Sequence, residues 1–203
     1  QHAIVVLGFR AVTQLALSIA TGPLFSAGEP GLLEHRVRLF YQSLGVATAS
    51  RMLAEELEIS EPGEAFLGGM MLDVGKLFLF DTAPTPYLPI FQQRDDDSVK
   101  AESELFGVTH ACIGNACGRH WGLPDRINAA IKNHHQSLDR IEDNLTRVLC
   151  CGNYFAQRWE LGFTLEEFVV CQMIEERYPE LLVDELGEHA RAQFATIKSV
   201  FAQ

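Results

Sequence analysis

Along most of the chain the apolar residues return every three to four positions, and no convincing alternation of period two appears. The pattern predicts an all-α fold. Residues 3–20 place Ile4, Leu7, Ala11, Leu15 and Ile19 on one stripe, the mark of an amphipathic helix. Thr21-Gly22-Pro23 stops it, and a Gly/Pro loop runs on through Gly31. Leu32 to Leu57 gives the next long helical stretch, loosened at Gly45. Glu61-Pro62 opens another, since proline suits the first turn of a helix, and residues 64–80 read as its continuous body. Thr82 to Pro89 is proline-rich and, with the acidic run Asp95-Asp96-Asp97 behind it, predicts an irregular connector. Ser98 is placed to cap a helix running to about Trp121. There Gly122 and Pro124 force a break and a restart, and Asp125 favours the new helix dipole. Leu145 to Trp159 is helical again, Thr164 with Glu167 has the form of a capping box, and Tyr178-Pro179 breaks the chain before a last helix.

Composition narrows the class. Of 203 residues 47% are hydrophobic and 21% charged, a globular balance with enough apolar material for a proper core. The expectation is one helical domain over residues 1–203. The chain starts at Gln1 with no methionine and no signal-like leader, so it reads as part of something longer, lacking its N-terminal portion. The net charge of -11 repels phosphate backbones and anionic lipid unless a local basic patch exists. The 16 Lys and Arg are scattered and form none, so neither nucleic acid nor membrane is an expected partner. The early apolar segment is interrupted by Arg10 and Gln14 and is too broken to span a bilayer. A cytoplasmic location follows as the default. Five cysteines, at 112, 117, 150, 151 and 171, make no CxxC and no zinc spacing; they read as small core residues.

Within this apolar pattern a few polar residues sit where apolar ones belong. On a helix over residues 64–80, Phe66, Gly69, Met70, Asp73 and Leu77 share the core stripe, so Asp73 is expected to face inward. A buried carboxylate has to be paired, hydrogen-bonded or bound to a cation. After Pro124, His134 continues the apolar face of Ile127, Ala130 and Ile131, with His135 one step round. His110 lies among Val108, Ala111, Cys112 and Ala116. One Asp and three His on apolar faces form a ligand set suited to a divalent metal. The plainer reading is a group of hydrogen-bonded core side chains, and adjacent histidines point about 100° apart on a helix, which disfavours both binding one ion. His35, His120 and His189 read as surface or incidental residues.

Four stretches then show a resemblance. AIVVLGFRAVTQLALS, FYQSLGVATASRMLA, AFLGGMMLDVGKLFL and ELFGVTHACIGNACGRHWGLPDRINAAIKNHH resemble successive helices of the HDOD family, the signalling branch of the HD phosphohydrolase superfamily. Together they span about residues 3–135. The last, with its G-x-x-H, W-x-[LP]-P and HH elements, is the most specific. The resemblance implies an all-α bundle of the HD-superfamily type, whose relatives hydrolyse phosphoesters at a His/Asp-bound metal. Carried over position by position, it implies a degenerate site. The first metal-binding His matches Gln42, the His of the His-Asp pair matches Leu72, and the distal Asp matches Asn153. The pair's Asp is kept as Asp73, and the further histidines of two-metal relatives match His110, His134 and His135. Lys76 keeps its place in the DVGK turn, with a salt bridge or helix-end cation its plainer role beside a phosphate contact.

Two functions follow from this. The first is a non-catalytic signal-transduction module in which Asp73 is held by His134 or His110, with no cofactor, docking other signalling proteins or fused sensor and output domains. The second is a metal-dependent phosphohydrolase acting on a nucleotide or cyclic dinucleotide through Asp73, His110, His134 and His135 with a divalent Fe, Mn, Mg or Ni ion. Apolar faces such as Val169 to Ile174 leave homo-oligomers open.

Overall fold

The computed structural model describes residues 23, 30–93, 95–162 and 183–201. The expected helix over 3–20, the capping box at Thr164, the break at Tyr178-Pro179, the face Val169 to Ile174 and Cys171 lie outside them. Among the described residues every extended element is a helix, as expected of an all-α chain.

After a 3-10 turn, α1 (Leu33–Leu57) forms the spine. Residues 39–54 of it are buried almost without interruption, apart from Tyr41, because the helix is packed on several sides. Its end is marked by Glu58 in the left-handed region, whose N–H caps the Ala54 carbonyl. Against α1 lie α2 (Pro62–Met71) and α8 (Asn144–Arg158). α9 (Val183–Phe201) closes the bundle by burying Ala190, Phe194 and Ile197. The core between them is lined by Leu39, Leu44, Leu53, Phe66, Met70 and Phe155, each at most 1% exposed. Full burial of a side chain of that size contributes about 2 kcal/mol by area removed from water.

The other half is a second layer of shorter helices, and here the chain departs from expectation three times. Residues 64–80 are not one helix: α2 ends at Met71, and α3 (Val74–Thr82) restarts after Leu72 and Asp73. Asp73 therefore sits at the N-cap of α3, with φ -102° and ψ 12°, rather than on a continuous stripe. The proline-rich segment is not a loop but α4 (Pro84–Phe91). Pro84 and Pro86 fall in the first turn, where backbone N–H groups have no intrahelical acceptor to lose. Pro89 does forfeit a bond, offset by fully buried Tyr87 packing on Phe80 and Phe106.

Third, the helix expected from Ser98 to Trp121 is two helices, α5 (Asp95–Phe106) and α6 (His110–His120). Ser98 lies inside α5 and is buried, so it is no cap. The break falls at Gly107, whose φ of 70° is a conformation that only glycine adopts without strain. Thr109 then caps α6 by accepting from the Cys112 N–H at 3.4 Å. The break at Gly122 and Pro124 stands where the pattern places it, with α7 (Asp125–Asn133) following. A 3-10 turn (Leu138–Arg140) and an Asp143 cap that accepts the Thr146 N–H at 2.7 Å lead into α8. The cysteines divide: Cys151 is buried, Cys117 and Cys150 are half-buried, and Cys112 is exposed, since it lies on the outer face of α6.

Candidate metal centre

The site forms where α3, α6 and the end of α7 meet. α3 and α6 approach closely because Gly75 has no side chain; a Cβ there would stand 2.0 Å from the His110 carbonyl oxygen. That contact brings Asp73 and Lys76, from the start of α3, beside His110, the first residue of α6. Lys76 Nζ lies 3.1 Å from Asp73 Oδ2, and His110 Nε2 lies 3.2 Å from Asp73 Oδ1. The two oxygens of one carboxylate thus face two different nitrogen groups. His110 is fully buried and Lys76 is 6% exposed.

The adjacent histidines both reach the site, against the expectation that their 100° separation would keep one out. α7 ends at Asn133, and His134, its C-cap, and His135 lie in the turn that follows. Their ring centroids are 4.0 Å apart. His134 donates its Nδ1–H to the Ile131 carbonyl at 2.7 Å, which leaves Nε2 with a lone pair 3.7 Å from Asp73 Oδ1. That Nε2 is buried without a hydrogen-bond partner. His135 Nε2 lies 2.9 Å from His110 Nε2.

Asp73, His110, His134 and His135 therefore converge, with one ligand atom from each all within 4.8 Å of one another. The remaining positions that the resemblance assigns are Leu72, Gln42 and Asn153. Leu72 is 2% exposed and apolar, Gln42 is buried on α1, and Asn153 on α8 accepts from Gln157 Nε2 at 3.5 Å. His120 and His189 are exposed. His35 is half-buried, its ring 6.2 Å from that of Phe80, and serves packing.

One residue of the site escapes the reading of the sequence. Glu102, on α5, is 0% exposed. Its carboxylate accepts the His110 backbone N–H at 2.7 Å, the His110 Nδ1–H at 2.8 Å and the Tyr87 hydroxyl at 3.1 Å. A signal was present: Glu102 stands at helical spacing with Ser98, Ala101 and Phe106, an acid on an otherwise buried face.

Charge follows from these contacts. Burial pushes the Asp73 carboxyl up, but Lys76, the hydrogen bond from His110 and the charges of His110 and His134 together hold it well below the usual carboxylate range. For His110, burial and Lys76 oppose the proton; hydrogen bonds to Asp73 and Glu102 and the charge of Asp73 outweigh them, so it lies above the ordinary histidine value. His134 is taken by burial down to about 4, against the pull of Asp73. His134 is consequently a neutral imidazole at neutral pH.

The family model of the HDOD domain matches residues 1–137 of the chain, and the chain belongs to the HDOD family. Solved structures share the fold. An HDOD domain protein of unknown function from Geobacter sulfurreducens has a TM-score of 0.71 at 22% identity, covering 98% of this chain and 70% of that one. A protein from Shewanella amazonensis, provisionally named a phosphohydrolase, has a TM-score of 0.69 at 20% identity, covering 96% and 74%. A protein from Marinobacter aquaeolei, provisionally named a signal transduction protein, has a TM-score of 0.62 at 21% identity, covering 79% of this chain and 38% of that one. Among curated proteins nothing matches. No helix among the described residues is long and apolar enough to cross a membrane.

Proposed function

We propose that the chain is a non-catalytic module of bacterial signal transduction, built on a degenerate HD metal site. It acts in the cytoplasm through other signalling proteins or through sensor and output domains joined to it. The observation that carries this reading is the engagement of Asp73. Lys76 stands on one carboxylate oxygen and His110 on the other, at 3.1 and 3.2 Å. Both oxygens of the buried carboxylate are thus met by nitrogen groups of the protein itself, with no ion required. Leu72, Gln42 and Asn153 support the same reading, since an alkyl side chain and two amides replace the stronger ligands a paired-metal site needs. The signal-transduction name of the Marinobacter protein agrees with it.

A second reading, a metal-dependent phosphohydrolase, is favoured by the orphaned Nε2 of His134, a buried lone pair aimed at a carboxylate with no donor between them. The residues fit one divalent ion. Three of the separations among their ligand atoms, 2.9, 3.2 and 3.7 Å, lie around the roughly 3.4 Å expected of a tetrahedral ion with bonds near 2.05 Å, within a group that spans up to 4.8 Å. Asp73, His110, His134 and His135 would hold it, and a bound ion supplies an acidified water and a polarised phosphoryl oxygen. Four protein donors close a tetrahedral shell, whereas catalytic sites keep a position open. The donor count therefore argues for a held ion without turnover. Lys76 stays paired with Asp73 in this reading, which keeps it from an incoming phosphate.

The experiment is release of 4-nitrophenol from bis(4-nitrophenyl) phosphate by protein loaded with Mn2+ or Fe2+. Rates for wild type and His110→Ala are expected to coincide at background. A metal-dependent rate that disappears in His110→Ala would establish the hydrolase instead.

A further inference from the structure

We infer that Glu102 is the positioning residue of this site: its buried carboxylate fixes His110 with Nδ1–H turned to α5 and Nε2 turned to Asp73, His134 and His135, readying it as a nitrogen donor to a divalent ion of borderline softness such as Zn2+. The inference rests on the donor geometry of the site and is independent of the signalling role.

The number of donors at Glu102 sets what this position can be. Three groups converge on Glu102: the His110 backbone N–H at 2.7 Å, the His110 Nδ1–H at 2.8 Å and the Tyr87 O–H at 3.1 Å. A carboxylate has acceptor sites on both oxygens and takes all three. The isosteric amide of Gln has one acceptor oxygen, and its NH2 would face another N–H. The requirement at this position is thus for an acid, and burial excludes water as a substitute.

The contacts also act on one residue from two sides. The backbone bond anchors the first turn of α6, where N–H groups lack intrahelical acceptors, and the ring bond sets the imidazole's rotation. Together they leave Nε2 as the atom that points to the site. A hydrogen-bonded carboxylate behind an imidazole raises its basicity as a ligand, and losing such a partner costs 10- to 100-fold in metal affinity. Tyr87, fully buried on α4, steadies Glu102 in turn and ties the proline-rich helix to the site.

The test uses the whole chain, with Glu102→Gln and Tyr87→Phe beside wild type. Histidine 15N shifts of the metal-free protein report which ring nitrogen carries the proton, and competition with a chromophoric chelator reports Zn2+ affinity. Wild type is expected to show His110 protonated at Nδ1 and to take up Zn2+. Glu102→Gln is expected to lose that Nδ1 signature and to weaken Zn2+ binding by roughly tenfold or more, with Tyr87→Phe weakening it less. An unprotonated Nδ1 in wild type would overturn the inference without recourse to any variant, so a variant that fails to fold leaves it testable. An intact signature and unchanged affinity in Glu102→Gln would overturn it as well. Wild type that shows the signature yet takes up no Zn2+ would support the positioning and overturn the readiness for an ion.

Discussion

Replacing Asp73 by Asn keeps the shape of the side chain and removes its charge from between Lys76 and His110. At 3.1 Å and an effective dielectric of about 20, the attraction to Lys76 is about 5 kcal/mol. Part is recovered, because the Asn carbonyl still accepts a hydrogen bond and His110 can release its proton once Asp73 no longer holds it. Lys76, 6% exposed, loses the carboxylate that faces it, and removing one partner of a buried pair costs about 3–5 kcal/mol. The expected loss is therefore about 3 kcal/mol. For a chain of this length that lowers Tm by about 6–12 °C. Thermal unfolding followed by circular dichroism at pH 7.5 with EDTA checks it. The sign of the pH dependence is fixed. Asp73 has its folded value depressed, so its contribution is present above the unfolded carboxylate range and is lost only as pH falls through the lower folded value. The gap between wild type and Asp73→Asn should thus persist at pH 5 and close only in stronger acid. Lys76→Met in the Asp73→Asn background should recover part of the loss. An unchanged Tm, or a gap already closed at pH 5, would refute the buried ion pair.

Other predictions concern neighbouring residues. His134 drops from 6.5 to about 4, so the unfolded chain binds the extra proton between those values and stability is lost as pH falls; linkage gives about 2.5 kcal/mol between pH 7.5 and 4.5. In EDTA, His134→Gln should remove that share of the acid slope in urea unfolding, and parallel slopes would contradict the assignment. Gly75→Ala forces a methyl to within 2.0 Å of the His110 carbonyl oxygen and should cost about 3 kcal/mol and disturb the His110 ring signals. Gly107→Ala, strained only by its φ of 70°, should cost about 1 kcal/mol and leave those signals in place. Cys150, whose thiol burial pushes up to about 12, should resist iodoacetamide in the native protein at pH 8, while exposed Cys112 reacts. Peptide mapping distinguishes the two.

The helices around α1 and α8 were legible because their apolar spacing is long and uninterrupted, and Gly122 with Pro124 marks its own break. Asp73, His110, His134 and His135 were legible as polar residues on apolar faces. What the sequence hid is local backbone geometry that depends on tertiary contact. The kink at Leu72-Asp73 has no proline behind it and arises where α3 meets α6 at Gly75. Three prolines read as a loop because propensity is judged without Tyr87's burial, which holds α4 together. His134 and His135, at and just past the end of α7, both enter the site, which helical spacing disfavours. Glu102 went unseen because an acid in a polar helix looks solvated until its three donors are located in space.

The central claim is that this HDOD chain does not turn over phosphoesters, and 31P NMR of a cyclic dinucleotide incubated with an excess of Mn2+- or Fe2+-loaded protein tests it most directly. The account predicts an unchanged substrate spectrum for wild type, indistinguishable from Asp73→Ala. Linear dinucleotide or mononucleotide signals that appear with wild type and are absent with Asp73→Ala would contradict it.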